Sequence, residues 1–295
     1  MKAIGVAGIG LMGAAIVQRL RGAGFEVAGF DVDAVKCKRL AELGGEPVAT
    51  LGELAQRCDT IFLAVFNTDQ VEEVIEGAHG LLGARAANAP RLTVICTSTC
   101  DPDRIAKLAA RIASRVGYVE MPVSGTSAQV AAGDGVGLVA GDSAAVESVT
   151  DVLAAVCPKR QFLGVVGNGG KAKLAVNLVL GLNRGAIAEG LVFAQKMGLE
   201  PVAFLDVLRN SAAYSQVMDT KGPLMTRRDF QRPVSRIDQS YKDFSLMLEY
   251  AHGLGQALPF AQVYADLLHD CMESGEGQWD NSAILAAIAR RIEVT

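Results

Sequence analysis

The sequence predicts an α/β chain in two parts: an open sheet with its helices, then an all-helical part, joined by one long helix. Three observations predict it. Up to about residue 165, short apolar runs of strand length alternate with helical stretches. After Gly169 the strand-like runs largely disappear. Between them, Gly169 to Met197 reads as one uninterrupted helix, roughly 40 Å long at about 1.5 Å per residue, with Gly198 as its stop. The expected division is 1–165 and 166–295.

The first elements carry a fingerprint. Ala3 to Val6 begins a buried strand that runs into Gly8-Ile9-Gly10-Leu11-Met12-Gly13. Ala14 to Leu20 reads as a helix ending near Gly22 to Gly24, and Glu26 to Phe30 as a second strand ending at Asp31. Strand, glycine turn, helix, strand and an acid about 20 residues beyond the glycines is the arrangement of a Rossmann dinucleotide-binding domain. Gly8 permits the tight turn, Gly10 lets the backbone approach a pyrophosphate, and Gly13 allows helix and strand to pack closely. Leu11 and Met12 lie at the helix start, whose dipole attracts phosphate. Asp31 accepts hydrogen bonds from ribose hydroxyls and repels a 2′-phosphate. NAD is therefore expected, with NADP disfavoured although Lys36 and Arg39 lie nearby.

Thr60 to Val65 and Thr93 to Cys96 extend the same sheet. Each is followed by a polar loop, Asn67-Thr68-Asp69 and Ser98-Thr99-Cys100-Asp101-Pro102. Ligands of open α/β sheets bind beyond the C-terminal strand ends, so both loops are candidates for cofactor contact. A further strand, Gly117 to Glu120, leads into Met121-Pro122-Val123-Ser124-Gly125-Thr126. Its backbone N–H groups and two hydroxyls suit a carboxylate. Past the long helix, further helices are expected at Val202 to Leu208, Lys242 to Gly253, Pro259 to Glu273 and Ser282 to Arg291.

The chemistry points to Gly167 to Asn177, GNGGKAKLAVN. Lys173 and Asn177 are four residues apart and share a helix face. A cation and an amide so placed hold an anionic oxygen substrate, and the lysine can exchange a proton with a hydroxyl. Near a helix start the dipole disfavours the ammonium form, as does a second lysine close by. Both effects favour a lysine able to act near neutral pH. The pair is expected where the two domains meet, a common location for ligand sites.

Composition bounds the alternatives. The 295 residues suffice for two cores, half are hydrophobic, and the net charge is −4 with no basic patch, so nucleic-acid binding is not suggested. Cys37, Cys58, Cys96, Cys100, Cys157 and Cys271 form no CxxC pair, and His79, His252 and His269 are scattered, which argues against a metal site. Six reduced thiols and a first strand starting almost at Met1 lead to the expectation of a cytoplasmic protein. Leu174 to Ala194 is the most membrane-like stretch, but Asn177, Asn183, Arg184 and Glu189 within it favour a buried helix of a soluble protein over a membrane span.

Four motifs in order resemble the β-hydroxyacid dehydrogenases, the group of 3-hydroxyisobutyrate dehydrogenase, tartronate semialdehyde reductase and threonate dehydrogenase. They are Gly8 to Gly13, Pro122-Val123-Ser124-Gly125, Gly167 to Lys173 with Asn177, and Tyr241-Lys242-Asp243-Phe244. The resemblance spans essentially the whole chain. It implies Lys173, not Lys171, as the catalytic lysine and Asn177 as the residue that orients substrate. It also implies Ser124 and Gly125 in the carboxylate loop, Lys242 closing over the cofactor, and Thr99 near the nicotinamide.

The chain departs from the family pattern in places. Ala15-Ile16-Val17 replace a Pro-Met-Ala, and Val65-Phe66 replace a Leu-Pro beside the cofactor. Thr126 and Gln129 replace glycines and Val130 an alanine in the substrate loop, where they bear on the head group, carboxylate or sulfonate. The implied activity is NAD-dependent hydride transfer at C3 of a small 3-hydroxy acid, in a homodimer or homotetramer. Imine reductases share the scaffold but usually lack the lysine. 6-Phosphogluconate dehydrogenase, which acts on a sugar acid, is much longer. A non-enzymatic NAD-binding scaffold protein has no need of Lys173, Asn177, Ser124 and Lys242 together.

Overall fold

The computed structural model describes residues 3–85 and 89–291. It divides into two units, Met1–Lys173 and Leu174–Thr295.

The first unit runs β1 (Ile4–Ala7), α1 (Leu11–Gly22), β2 (Val27–Phe30), α2 (Ala34–Glu42), β3 (Glu46–Pro47), α3 (Leu51–Arg57), β4 (Thr60–Leu63) and α4 (Thr68–Glu76). It continues through β5 (Leu92–Cys96), α5 (Pro102–Ile112), β6 (Val116–Glu120), β7 (Val123–Ser124), α6 (Ser127–Ala131), β8 (Val136–Gly141), α7 (Ser143–Glu147), α8 (Thr150–Val156) and β9 (Lys159–Phe162). Six strands are parallel in the order β3-β2-β1-β4-β5-β6. β8 then pairs antiparallel with β6 and β7, and parallel with β9. Ala7 at the end of β1 is in register with Phe30 and Leu63, so the glycine turn opens where the strand order reverses.

Alternation along the strands fills both faces. On β4, Phe62 joins a core with Val6, Ile95, Val119 and the α1 residues Ile16 and Leu20. Its neighbours Ile61 and Leu63 join a second core with Val94, Ile105 and Leu108 of β5 and α5. Most helix starts in this unit sit on a side-chain cap: Asp33, Thr50, Asn67, Asp101, Thr126 and Asp142 each accept from a first-turn N–H. The polar loops after β4 and β5 are polar partly for this reason. Asn67 and Asp101 cap α4 and α5, while the Thr97 and Ser98 hydroxyls donate to the Leu63 and Val65 carbonyls (2.8 and 2.7 Å).

The long helix α9 (Asn168–Lys196) begins in the first unit and continues into the second, ending where Gly198 takes a left-handed φ of +87°. α10 (Pro201–Arg209), α11 (Val217–Arg227), α12 (Ile237–Gly253), α13 (Pro259–Glu273), a 3-10 turn at Asn281–Ala283 and α14 (Ile284–Arg290) complete the second unit. Gly181 and Gly185 on α9 make room for two rings: a Cβ at Gly181 would come within 2.3 Å of Phe244, and one at Gly185 within 3.0 Å of Tyr264. Those rings pack on each other with centroids 4.6 Å apart.

The expected strand–helix alternation, the long helix and the all-helical second part are all present. α11 was not anticipated, because Gly222 and Pro223 interrupt its pattern. β7, β8 and β9 were also missed. β7 has only two residues, and the β9 sequence Lys-Arg-Gln-Phe is exposed throughout, so neither carries an apolar signal. α9 is long and apolar enough to cross a membrane by length and composition. Its Leu174, Ile187, Ala188 and Leu191 are nonetheless part of the second unit's core.

Candidate active site

The structure gathers the expected cofactor residues of the first unit at the C-terminal ends of β1, β2, β4 and β5. Gly8 has φ +91°, and a Cβ there would stand 2.6 Å from the Ala64 carbonyl oxygen. A Cβ at Gly13 would fall 1.9 Å from the Gly8 oxygen, so any side chain would force turn and helix apart. Gly10 differs: a Cβ there meets nothing within 4 Å. It is the N-cap residue of α1, with no side-chain cap and no acid in the first turn, and Leu11 and Met12 follow it. An uncapped helix start beside a glycine is suited to an anionic phosphate, so these residues fit a dinucleotide.

Asp31 is the acid at the end of β2. It accepts from Ile9 N (2.7 Å) and Asp33 N (2.9 Å), with Lys36 Nζ at 3.6 Å. Its carboxylate thus braces the glycine turn, and its remaining lone pairs are available to a ribose. Val65 and Phe66 follow β4, where the Phe66 N–H donates to Gln70 Oε1 (2.8 Å). Thr99 is half-buried in the loop after β5.

The expected substrate loop is built on β7 and β8, with Val123 opposite Gly137 and Ser124 opposite Val136. Gly125 has φ +142°, a conformation that favours glycine. Thr126 closes a reciprocal cap on α6. Its N–H donates to Gln129 Oε1 (2.8 Å), and its hydroxyl accepts from Gln129 N (3.2 Å). Both polar groups of Thr126 therefore shape the loop.

Lys173 is 9% exposed, and its Nζ donates to the Val123 carbonyl at 2.6 Å, one residue before Ser124. Lys171 is exposed. The structure so sets the two lysines apart, and Lys173 stands against the β7 segment that leads into Ser124 and Gly125. One turn on, Asn177 Nδ2 donates to Asp243 Oδ2 (2.9 Å), and the other oxygen of Asp243 takes Lys242 Nζ (2.7 Å). One carboxylate of the second unit therefore holds both expected site residues of that unit.

Two residues escaped the sequence reading. Asp243 lies in the Tyr-Lys-Asp-Phe motif but was not singled out. Glu120 ends β6 with its carboxylate under the start of α9, accepting from Gly167 N (2.5 Å), Gly170 N (3.0 Å) and Gly169 N (3.3 Å). This corrects the expected electrostatics of α9: its positive end already faces a carboxylate. Burial pushes the Glu120 carboxyl up from its ordinary range, against the pull of the three N–H groups and the charge of Lys171. The available signal was an acid closing an otherwise apolar strand, because a buried carboxylate must find donors. Among the described residues, no group of three or more His, Cys, Asp or Glu side chains is arranged to hold a metal.

A parallel sheet with an open glycine turn at its switch point, a lysine-bearing helix and a helical second unit define a nicotinamide-dinucleotide oxidoreductase. The comparisons agree. The family model for the NAD-binding domain of 6-phosphogluconate dehydrogenase matches residues 3–167. The model for the NAD-binding domain of NADP-dependent 3-hydroxyisobutyrate dehydrogenase matches 167–288. The chain is 33% identical to L-threonate dehydrogenase of Cupriavidus necator, over 96% of this chain and 94% of the relative. It is 30% identical to 2-hydroxy-3-oxopropionate reductase of Escherichia coli, over 97% and 96%. A crystal structure of 3-hydroxyisobutyrate dehydrogenase from Salmonella typhimurium superposes with a TM-score of 0.87 at 25% identity, covering 97% of this chain and 99% of that one. The chain belongs to the β-hydroxyacid dehydrogenase family and is, by class, an NAD(P)-dependent hydroxyacid dehydrogenase.

Proposed function

We propose that this protein interconverts a small 3-hydroxy acid and its C3 carbonyl form, preferring NAD to NADP, with Lys173 as general acid and base. The observation that carries this reading is the buried Lys173, whose amine is held 2.6 Å from the carbonyl that leads into Ser124 and Gly125. In oxidation the neutral amine takes the C3 hydroxyl proton, directly or through a water. In reduction the ammonium polarises the carbonyl and returns that proton. Ser124 and Gly125 hold the acid group, and Thr126 keeps their loop in shape. Asn177, one turn from Lys173 and steadied by Asp243, orients the substrate. When bound, the nicotinamide accepts or donates the hydride. Gly8 to Gly13 and Asp31 would hold its dinucleotide, with Val65, Phe66 and Thr99 at the neighbouring strand ends.

Asp31 and the adjacent Asp33 support the NAD preference, since both repel a 2′-phosphate. Lys36, 3.6 Å from Asp31, offsets part of that repulsion, so NADP is expected to work more slowly rather than not at all. The test follows absorbance of the reduced nicotinamide with hydroxyisobutyrate, glycerate, threonate, 3-hydroxypropionate, serine and a sulfonate analogue, using both cofactors. The expected result is turnover of at least one acid, with kcat/KM about tenfold or more higher for NAD, the size of a single charge effect. Tight NADH binding with no turnover of any acid would overturn the substrate class, and equal rates with NADP would overturn the preference.

We further propose that the protein is a homodimer or homotetramer built through its second unit. Val179 and Phe193 on α9, Met197 just after it and Phe260 on α13 are large apolar side chains left exposed within one chain, Phe260 at 75%. Light scattering should read at least twice the mass of one chain, and a monomer at micromolar concentration would remove the proposal.

A further inference from the structure

We infer that Glu120 is the positioning residue for Lys173, fixing the start of α9 to the sheet so that the amine meets the substrate loop. This inference rests on the reading of Lys173 as the acid/base group. Glu120 is itself firmly placed, because β6 pairs with β5 on one side (Cys96 opposite Glu120) and with β8 on the other (Ala140 opposite Glu120). Its two carboxylate oxygens take all three N–H groups that the glycine turn presents, from Gly167, Gly169 and Gly170. Three residues on, the Val123 carbonyl takes Lys173 Nζ. One short segment therefore grips the helix at two points, its first N–H groups and its lysine, and the same segment continues into Ser124 and Gly125.

The glycines of the turn are explained by the same contact. A Cβ at Gly169 would stand 2.9 Å from Glu120 Cβ and 3.0 Å from the Leu138 oxygen. One at Gly170 would stand 3.2 Å from Glu120 Oε1. Gly167 has φ +101°, which turns its N–H onto the carboxylate. The glycine-rich stretch before the lysine is thus a cradle for an internal anion. A carboxylate with several donated N–H groups is far stiffer than a solvated helix end, and acid–base catalysis loses steeply with small misplacement of the reacting group.

The experiment compares wild type, Glu120→Gln, Glu120→Asp and Lys173→Ala, each with bound NADH. It reads kcat, KM, NADH affinity, melting temperature and the rate at which trinitrobenzenesulfonate labels each lysine, scored by peptide mass spectrometry. Glu120→Gln turns an amide N–H toward backbone donors and breaks the cradle. The expected result is a kcat fall of about 10- to 100-fold, as for a misplaced catalytic group, with NADH affinity unchanged. Lys173 should label about tenfold or more faster, its protection and its bond to Val123 being lost together. Exposed Lys171 and buried Lys221 should keep their wild-type rates, which separates loss of register from general loosening of the fold. If Glu120→Gln does not fold, Glu120→Asp keeps the charge but shortens the reach, and should shift kcat and Lys173 labelling in the same direction.

Wild-type kcat and a protected Lys173 in the folded variants would overturn the inference, as would equal acceleration at Lys221. Full activity in Lys173→Ala would instead overturn the acid–base reading. The labelling result would still decide whether Glu120 holds the helix.

Discussion

Lys173→Ala is expected to lower turnover by about two to four orders of magnitude, the range over which positioned general acids and bases act, while NADH still binds. The amine is buried, it donates to the Val123 carbonyl, and it stands beside the loop assigned to the acid group. Nothing in the glycine turn at Gly8 to Gly13 or around Asp31 depends on it. Lys173→Arg is the sharper variant. Arginine stays charged at all working pH values and cannot accept a proton, so oxidation should fail as completely as with alanine. Stopped-flow turnover beside NADH fluorescence titration makes the check. Retention of more than about a tenth of wild-type turnover by Lys173→Ala, well short of that range, would remove the lysine from the mechanism.

The largest stability effect is expected at the other buried lysine. Lys221 on α11 and Asp280 before the 3-10 turn are 2% and 0% exposed. Lys221 Nζ lies 2.8 Å from both Asp280 oxygens and 2.9 Å from the Ser235 hydroxyl. Asp280 also accepts from the N–H groups of Val234 and Ser282 and from the Ser282 hydroxyl. Burial alone would raise the Asp280 carboxyl, but the charge and hydrogen bonds of Lys221, with those of Ser282, hold it below the ordinary aspartate range. Burial, against the pull of Asp280, brings the Lys221 amine down to about 8.

Asp280→Ala leaves a buried ammonium without its partner and should cost about 3–5 kcal/mol, on the order of 10 °C in melting temperature. Replacing both residues, as in Lys221→Met with Asp280→Leu, should recover much of that loss, because a packed apolar pair avoids the desolvation of two charges. The pH dependence has a definite sign. The folded-state pKa of Asp280 lies below its unfolded value, so its contribution is complete above about pH 4 and disappears as pH falls through the folded value. Denaturant melts from pH 7 to 3 should show this slope in wild type and a shallower one in the double variant. A double variant no more stable than Asp280→Ala would show that the pair matters through its hydrogen bonds rather than its charges.

The architecture was legible wherever a local rule had no rival. Gly8 to Gly13 followed by Asp31 reads as a turn and an acid because glycine alone fits the backbone there, and the contacts that a Cβ would make bear this out at Gly8 and Gly13. The long helix, its end at Gly198, and α13 from Pro259 to Glu273 were legible because periodicity and end signals agreed. α11 was not, since Gly222 and Pro223 contradict a helix that buried Met218, Lys221 and Met225 nevertheless stabilise. The Ser124-Gly125-Thr126 loop was half legible. Its residue types suggested anion binding, but that Thr126 would commit both polar groups to Gln129 depends on where α6 begins.

The sequence by itself determined the alternating sheet unit, the helical second part and the dinucleotide turn. All of these follow from neighbours within a few positions, where backbone sterics and side-chain period act directly. Tertiary structure decided the partners: Glu120 with Gly167 to Gly170 across 47 to 50 residues, Lys221 with Asp280 across 59, and Asn177 with Asp243 across 66. In one dimension each of these acids looks like an ordinary surface charge. Only burial makes an unpaired charge costly enough to require a particular partner, and burial is a property of the folded chain.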